Sequence, residues 1–271
     1  MRRATSQSRL GLIAGLTVSL LLSACASTFS GDTIDYTGST AVSLNFLTST
    51  FSGGFAEGDI LSNFEKVIGS SGNDTIVAND AGMRLDGKGG NDTLTGGAGS
   101  DTLIAGDGND TLNGGGGVDT LDLRTNNATL AGDSASGGAG DDTIAIDQAD
   151  LSASAFAIDG GAGIDTLQFY ASSSATLNLG VVFDASKFNS INTLDLSLDG
   201  QSSAVVLSSA GVIGLVDDGN SSALKLKLTS GSDTYSIAAG ETATFGNNSV
   251  TLTNTLNNTS ATVNFVGSVH Q

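Results

Sequence analysis

The amino-acid sequence predicts an all-β protein: a parallel β-roll, or β-solenoid, with 18-residue coils, capped by further β-solenoid strands or by a small β-sandwich. Three features point there. Glycine fills 38 of 271 positions while proline and tryptophan are absent, a composition that excludes collagen, proline-rich linkers and coiled coils. A glycine-rich unit recurs every nine residues without a gap from Gly87 to Asp122, and a fixed short period is the mark of a solenoid. Further on, short alternating apolar stretches are punctuated by Gly, Asn, Ser and Asp clusters at intervals of roughly ten residues, the pattern of strands and turns.

In chain order, residues 1–24 read as a lipoprotein signal peptide. Arg2, Arg3 and Arg9 precede an apolar stretch from Leu10 to Leu22, which is shorter than the ~20 residues a membrane-spanning helix needs. The stretch runs into Leu22-Ser23-Ala24-Cys25, which resembles the bacterial lipobox. That resemblance implies cleavage before Cys25, transfer of a diacylglyceryl group to its thiol, and a protein anchored in a membrane by its acyl chains. Ala26 after the cysteine resembles the outer-membrane sorting pattern, so the implied location is the bacterial outer membrane or cell surface. The alternative is an ordinary secretory signal and a secreted, extracellular protein. Residues 25–68 follow as an N-terminal tether and cap strands.

Residues 69–123 hold the repeat. GKGGNDTLT from Gly87 is followed by GGAGSDTLI from Gly96, AGDGNDTLN from Ala105 and GGGGVDTLD from Gly114; the same register run backwards lands on GSSGNDTIV from Gly69. Glycines permit a tight turn with positive φ, and T-L-x or T-I-x is a minimal strand, so each unit is half a coil. Alternate units then stack on one side. Asp74, Asp92 and Asp110 form one column, and Met83, Asp101 and Asp119 form the other, while Leu85, Leu94, Leu103, Leu112 and Leu121 point inward. Strands ~4.8 Å apart bring stacked carboxylates within roughly 5 Å, a repulsion of about 3 kcal/mol per contact at an effective dielectric of ~20. A cation must separate them. Calcium, a hard ion that takes about 6–8 oxygens, suits carboxylates and turn carbonyls better than magnesium with its octahedral demand. The net charge of −18, from 28 Asp+Glu against 10 Lys+Arg, fits such a partner and argues against nucleic acid.

The unit matches the glycine-rich nonapeptide G-G-x-G-x-D-x-U-x and resembles the hemolysin-type, or RTX, calcium-binding repeat family. The resemblance extends over residues 32–170, taking in DTIDYTGST from Asp32 and EGDILSNFEKVIGSSGND from Glu57. It implies Ca2+ as the cofactor, held by Asp74, Asp92, Asp101, Asp110, Asp119, Asp142 and Asp165. Turn carbonyls of Gly69, Gly72, Gly87, Gly89, Gly90, Gly96, Gly97, Gly99, Gly106, Gly108, Gly114, Gly115 and Gly117 would complete the coordination. The register places ions at Asp74/Asp92, Asp92/Asp110 and Asp101/Asp119. Met83 removes the partner that Asp101 would need on the other side and makes that end a cap, and Asp107 adds charge beside Asp92 and Asp110.

Residues 124–174 hold degenerate coils with two further turns, GGAGDDTIA from Gly137 and GGAGIDTLQ from Gly160. Asp119, Asp142 and Asp165 are spaced by 23 residues twice, which is one coil enlarged by five. Two readings stay open: the column continues, with sites at Asp119/Asp142 and Asp142/Asp165, or these are isolated turns without stacked partners. Residues 175–271 form a C-terminal β-strand cap region, with strands expected in ATLNLGVVF, INTLDLSLD, SAVVLS, ALKLKLTS, SVTLTNTL and ATVNFVG. No linker composition separates it from the array, so one elongated domain is expected.

One cysteine and one histidine, Cys25 and His270, exclude a disulfide framework, a Cys/His zinc cluster and the Cys-His or Ser-His-Asp catalytic sets. Ser222-Ala223-Leu224-Lys225 matches S-x-x-K without its companion motifs. Asp217-Asp218, or the acids near Arg124, are the material for a carbohydrate-active pair. No catalytic residue is assigned. The two resemblances together imply a calcium-binding, surface-anchored lipoprotein whose roll folds on calcium. Its expected role is a structural or adhesive cell-envelope module with a surface glycan or protein as partner. The alternative is a carbohydrate-active β-solenoid enzyme, a polysaccharide lyase or glycosidase, or its calcium-dependent accessory module.

Overall fold

The structure, a computed structural model, describes residues 10–11, 33–56, 64–124, 132–147, 150, 156–170, 176–178, 188–196, 204–207, 223–227, 234–237, 241–245, 249–254 and 260–266. The nine-residue unit folds as its period requires, with each T-L-x or T-I-x triplet forming a strand and each glycine-rich segment a turn. Thr75–Val77, Thr93–Thr95, Thr111–Gly116, Ser134–Ala139 and Ala157–Ala162 pair in parallel as one sheet. Lys66–Ile68, Arg84–Gly89, Thr102–Asp107, Thr120–Asp122, Thr143–Asp147 and Thr166–Tyr170 pair in parallel as the opposite one. Successive strands of a sheet come from residues 18 apart within the array and 23 apart in the coils that follow, widening to 27 at Asn192 and 32 at Lys227. The fold is a parallel β-solenoid, and its coils are enlarged, not interrupted, after Leu121.

Between the sheets lies a narrow core. Ile76, Leu94 and Leu112 enter from one side and Leu85, Leu103 and Leu121 from the other, all fully buried. Period-2 alternation does this: in Thr-Leu-Thr the leucine faces the partner sheet and the threonines face out, as the exposed Thr93 and buried Leu94 show. Further along, Ile144, Leu167 and Leu194 extend one leucine stripe, while Ala135, Ile158 and Phe188 extend the other.

The turns depend on backbone that side chains resist. Gly106 has φ of 103°, and a Cβ built there would lie 2.6 Å from the Lys88 carbonyl carbon. Lys88 occupies the equivalent position one coil earlier and itself sits at φ of 78°, with its ammonium 3.0 Å from Asp86.

The C-terminal region continues the solenoid instead of forming a sandwich among the described residues. Thr193–Asp195 and Ala223–Lys227 add to the second sheet in parallel, followed by Ser260–Val266. Thr176–Asn178, Ala204–Leu207 and Thr234–Ile237 form a third parallel sheet. Antiparallel pairing ends the stack: Ser249–Asn254 lies between Ser260–Val266 and Glu241–Phe245. At the opposite end, Ser43–Asn45 turns back antiparallel on Thr50–Ser52, with Phe46 and Phe51 meeting edge to face at 5.2 Å. Such hairpins close sheets whose parallel edges would otherwise recruit another chain. Among the described residues no helix is long and apolar enough to cross a membrane.

Two stability changes follow from the coil. Leu103→Ala opens the core and lowers unfolding free energy by about 2–5 kcal/mol, read by urea denaturation in calcium. Lys88→Gly relieves the left-handed lysine and raises it by about 1 kcal/mol, read in the same titration.

Candidate metal centre

The aspartate at the end of each turn is held by the coil before it. The Asp74 N–H donates to Asp92 Oδ1 at 2.8 Å, Asp92 N–H to Asp110 Oδ1 at 2.7 Å, and Asp110 N–H to Asp133 Oδ1 at 2.7 Å. On the other side Met83 N–H donates to Asp101 Oδ1 at 2.5 Å, Asp101 to Asp119 at 2.7 Å, Asp119 to Asp142 and Asp142 to Asp165, both at 2.8 Å. Asp165 N–H ends this column on Asn192 Oδ1 at 2.6 Å. The two columns expected from the spacing are therefore present, and the coils of Asp142 and Asp165 stay in the stack.

One carboxylate oxygen is thus spent on backbone, and in most of these aspartates the other is left over. All of these aspartates are at most 2% exposed. The Oδ2 atoms of Asp92, Asp110, Asp119, Asp133 and Asp142 are buried without a hydrogen-bond partner. A buried acceptor without a donor costs about 1–3 kcal/mol and more when charged. Those of Asp92, Asp119 and Asp142 face a cradle kept open by glycine. A Cβ on Gly87 would collide with Asp92 Oδ2 and lie 2.6 Å from the Ala105 carbonyl oxygen. Gly114 and Gly137 sit the same way between Asp119 Oδ2 and Gly137 O, and between Asp142 Oδ2 and Gly160 O. Carboxylate and carbonyl oxygens from successive coils converge with no donor between them, which is the donor set a hard cation takes. The residues present fit calcium.

Electrostatics agree. Burial pushes the Asp92 carboxyl up to about 8 against the Asp74 amide, with the charges of Asp110, Asp74 and Asp86 adding to it. Asp133 is raised to about 7 and Asp142 to about 6, chiefly by burial. Asp101, Asp110 and Asp119 are raised for the same reason, and the Asp107 charge contributes at Asp110. Among the described residues no three Asp, Glu, His or Cys side chains converge on one point, so any ion here relies on carboxylate pairs plus backbone carbonyls.

The positions named from sequence are not equivalent. Asp74 is satisfied by protein: its Oδ2 accepts the Ser70 N–H at 2.6 Å, and its Oδ1 accepts the Ser70 hydroxyl and the Val42 N–H, both at 2.8 Å. Asp101 Oδ2 accepts the Gly97 N–H at 2.8 Å. The carbonyls of Gly87 and Gly114 face cradles, and those of Gly72, Gly90, Gly97, Gly99, Gly115 and Gly117 lie against glycines one coil on. Gly69, Gly89, Gly96, Gly106 and Gly108 sit in the same turns. Arg124 is engaged elsewhere, paired with both Asp122 oxygens at 2.7 Å and stacked 4.1 Å over the Tyr170 ring. Cys25, Asp217, Asp218, Ser222 and His270 lie outside the described residues.

Spacing alone missed three features. Asp133 continues the first column 23 residues after Asp110, but it has Ala135 where the other units have leucine or isoleucine. Ala105, Gly137 and Gly160 contribute facing carbonyls. Asn73, Asn91 and Asn109 form an outer ladder, in which Asn73 Oδ1 accepts from Asn91 N–H, Asn91 Oδ1 from Asn109 N–H, and Asn109 Oδ1 from Gly132 N–H.

The family model of the RTX calcium-binding nonapeptide repeat matches this chain in four copies, over residues 64–81, 86–121 and 128–145. Over those residues the chain therefore carries nonapeptide repeats of the RTX kind, and the last copy includes both Asp133 and Asp142. No curated protein matches the sequence.

The raised carboxyls set a pH dependence. A group whose folded pKa lies above its unfolded value stabilises the fold most below the unfolded pKa, and that contribution is lost as pH rises through the folded one. For Asp92 the window runs from 3.8 to about 8. In chelator the melting temperature falls across this window. In saturating calcium it does not, because the ion competes with the proton. Melting curves at matched ionic strength check this.

Proposed function

We propose that this protein is a calcium-dependent structural or adhesive module of the bacterial cell envelope, anchored by a lipid on Cys25, whose roll orders as calcium fills its two aspartate columns. Carrying this reading is the row of buried, partnerless Oδ2 atoms in glycine cradles on matched repeats. Their burial is unfavourable for a bare carboxylate and favourable once a divalent ion bridges the coils, so binding and folding are one event. Outside the cell calcium is abundant, and the lipobox-like Leu22-Ser23-Ala24-Cys25 directs the chain there. At ~0.8 kcal/mol per buried CH₂, several acyl chains would hold it stably. Ions at Asp92/Asp110, Asp101/Asp119, Asp119/Asp142 and Asp142/Asp165 make a rigid rod, and its outward threonines and asparagines present a polar surface to a glycan or protein.

Calcium titration of the full chain in detergent, followed by circular dichroism and calorimetry, tests the folding claim. A cooperative rise in β signal is expected, blunted in an Asp92→Ala, Asp110→Ala variant. A spectrum complete in chelator and unmoved by calcium would overturn it. Anchoring is tested separately, since Cys25→Ser should lose metabolic labelling by palmitate and leave the membrane fraction.

A further inference from the structure

Outside the repeat frame, one more carboxylate is buried without a full set of partners. Asp150 lies between the strands Thr143–Asp147 and Ala157–Ala162, where the coil is enlarged, and it is 1% exposed. Its Oδ2 accepts the Asp147 N–H at 2.8 Å, but its Oδ1 is buried with no partner. The chain after Asp150 rejoins the sheet at Ala157, whose N–H donates to the Asp133 carbonyl at 3.1 Å, and Asp133 is itself fully buried, with Oδ1 held by Asp110 N–H and Oδ2 without a partner. The next position in that column is not a carboxylate: Ala157 pairs with Ser134, which puts Phe156 in the aspartate slot, where it packs on Phe188 at 5.6 Å. The first column would therefore end on an uncompensated Asp133.

We infer that Asp150 supplies the missing carboxylate, and that Asp133 Oδ2 and Asp150 Oδ1 hold a further divalent cation, calcium, in the enlarged coil. Three observations support the pairing. Both orphaned oxygens belong to side chains at most 1% exposed. Asp147, Asp133 and Asp122 all act on Asp150, which burial and these charges push up to about 7. The one cation described at this corner, Arg124, is held by Asp122 and stacked on Tyr170, and it bonds to neither of the two orphaned oxygens. Two carboxylates leave most of the roughly 6–8 positions of a calcium ion to carbonyls and water. This site would sit weaker than the columns and beside them.

The inference rests on the calcium reading for its choice of ion, and one experiment separates the two. Bound calcium per chain is counted by equilibrium dialysis and elemental analysis on the full chain in detergent, for wild type and for Asp150→Asn. Asparagine keeps an acceptor for the Asp147 N–H and removes the charge. The expected result is one ion fewer per chain, with β signal in calcium retained. An unchanged count overturns this site and leaves the columns standing, with Asp150 a protonated buried acid. A wild-type chain that binds no calcium overturns both. If Asp150→Asn loses the roll in calcium, Asp150→Ser provides the same count, and a full complement of ions in that variant overturns the site.

Discussion

Everything in this molecule follows from the two oxygens of a turn aspartate having different partners. One oxygen takes the amide of the aspartate one coil earlier and locks adjacent coils in register. In Asp92, Asp119 and Asp142 the other is driven into the same buried turn with a neighbouring carbonyl and nothing to donate to it. Hydrogen bonding sets the stacking, and the leftover acceptors set the need for a cation. A core this thin, with one large apolar side chain per strand along the nine-residue array, leaves little apolar burial to offset that cost, so a metal is the natural second component of the fold.

The columns also have direction and ends. At its start the first column is closed by protein, because Ser70 and Val42 satisfy Asp74. The second starts on Met83, whose amide donates to Asp101 without adding charge, and finishes on the neutral Asn192. Charge is thus concentrated in the middle of the rod and removed where an ion would have a coil on one side only. Antiparallel hairpins at Ser43–Ser52 and Glu241–Asn254 do for the sheets what these residues do for the columns.

Much of this was legible in the sequence because the nine-residue period fixes which residues stack. The frame gave both columns, the inward leucines and the cap at Met83, and the 23-residue spacing carried the second column to Asp165. Spacing does not say where hydrogen bonds point, so the division of labour between Oδ1 and Oδ2 was not readable. The sequence argument needed a cation to separate facing carboxylates, whereas the structure puts a backbone amide against one oxygen and leaves the cation only the other. Asp133 escaped because alanine replaces leucine two residues on. Ser70 fills a position that glycine holds in most later units, and its two hydrogen bonds to Asp74 make it a cap. Asp150 belongs to no repeat, and only its burial marks it.

The account stands or falls on where calcium sits. Crystals of the calcium-bound protein, with anomalous scattering collected at a wavelength where calcium contributes, would show this directly. Two rows of peaks are predicted along opposite edges of the roll, roughly 5 Å apart within a row, each touching an aspartate Oδ2 such as that of Asp92, Asp110, Asp119 or Asp142 and a turn carbonyl of the next coil. A folded roll with no peaks beside those oxygens would contradict it, leaving a solenoid held by its core and by protonated aspartates.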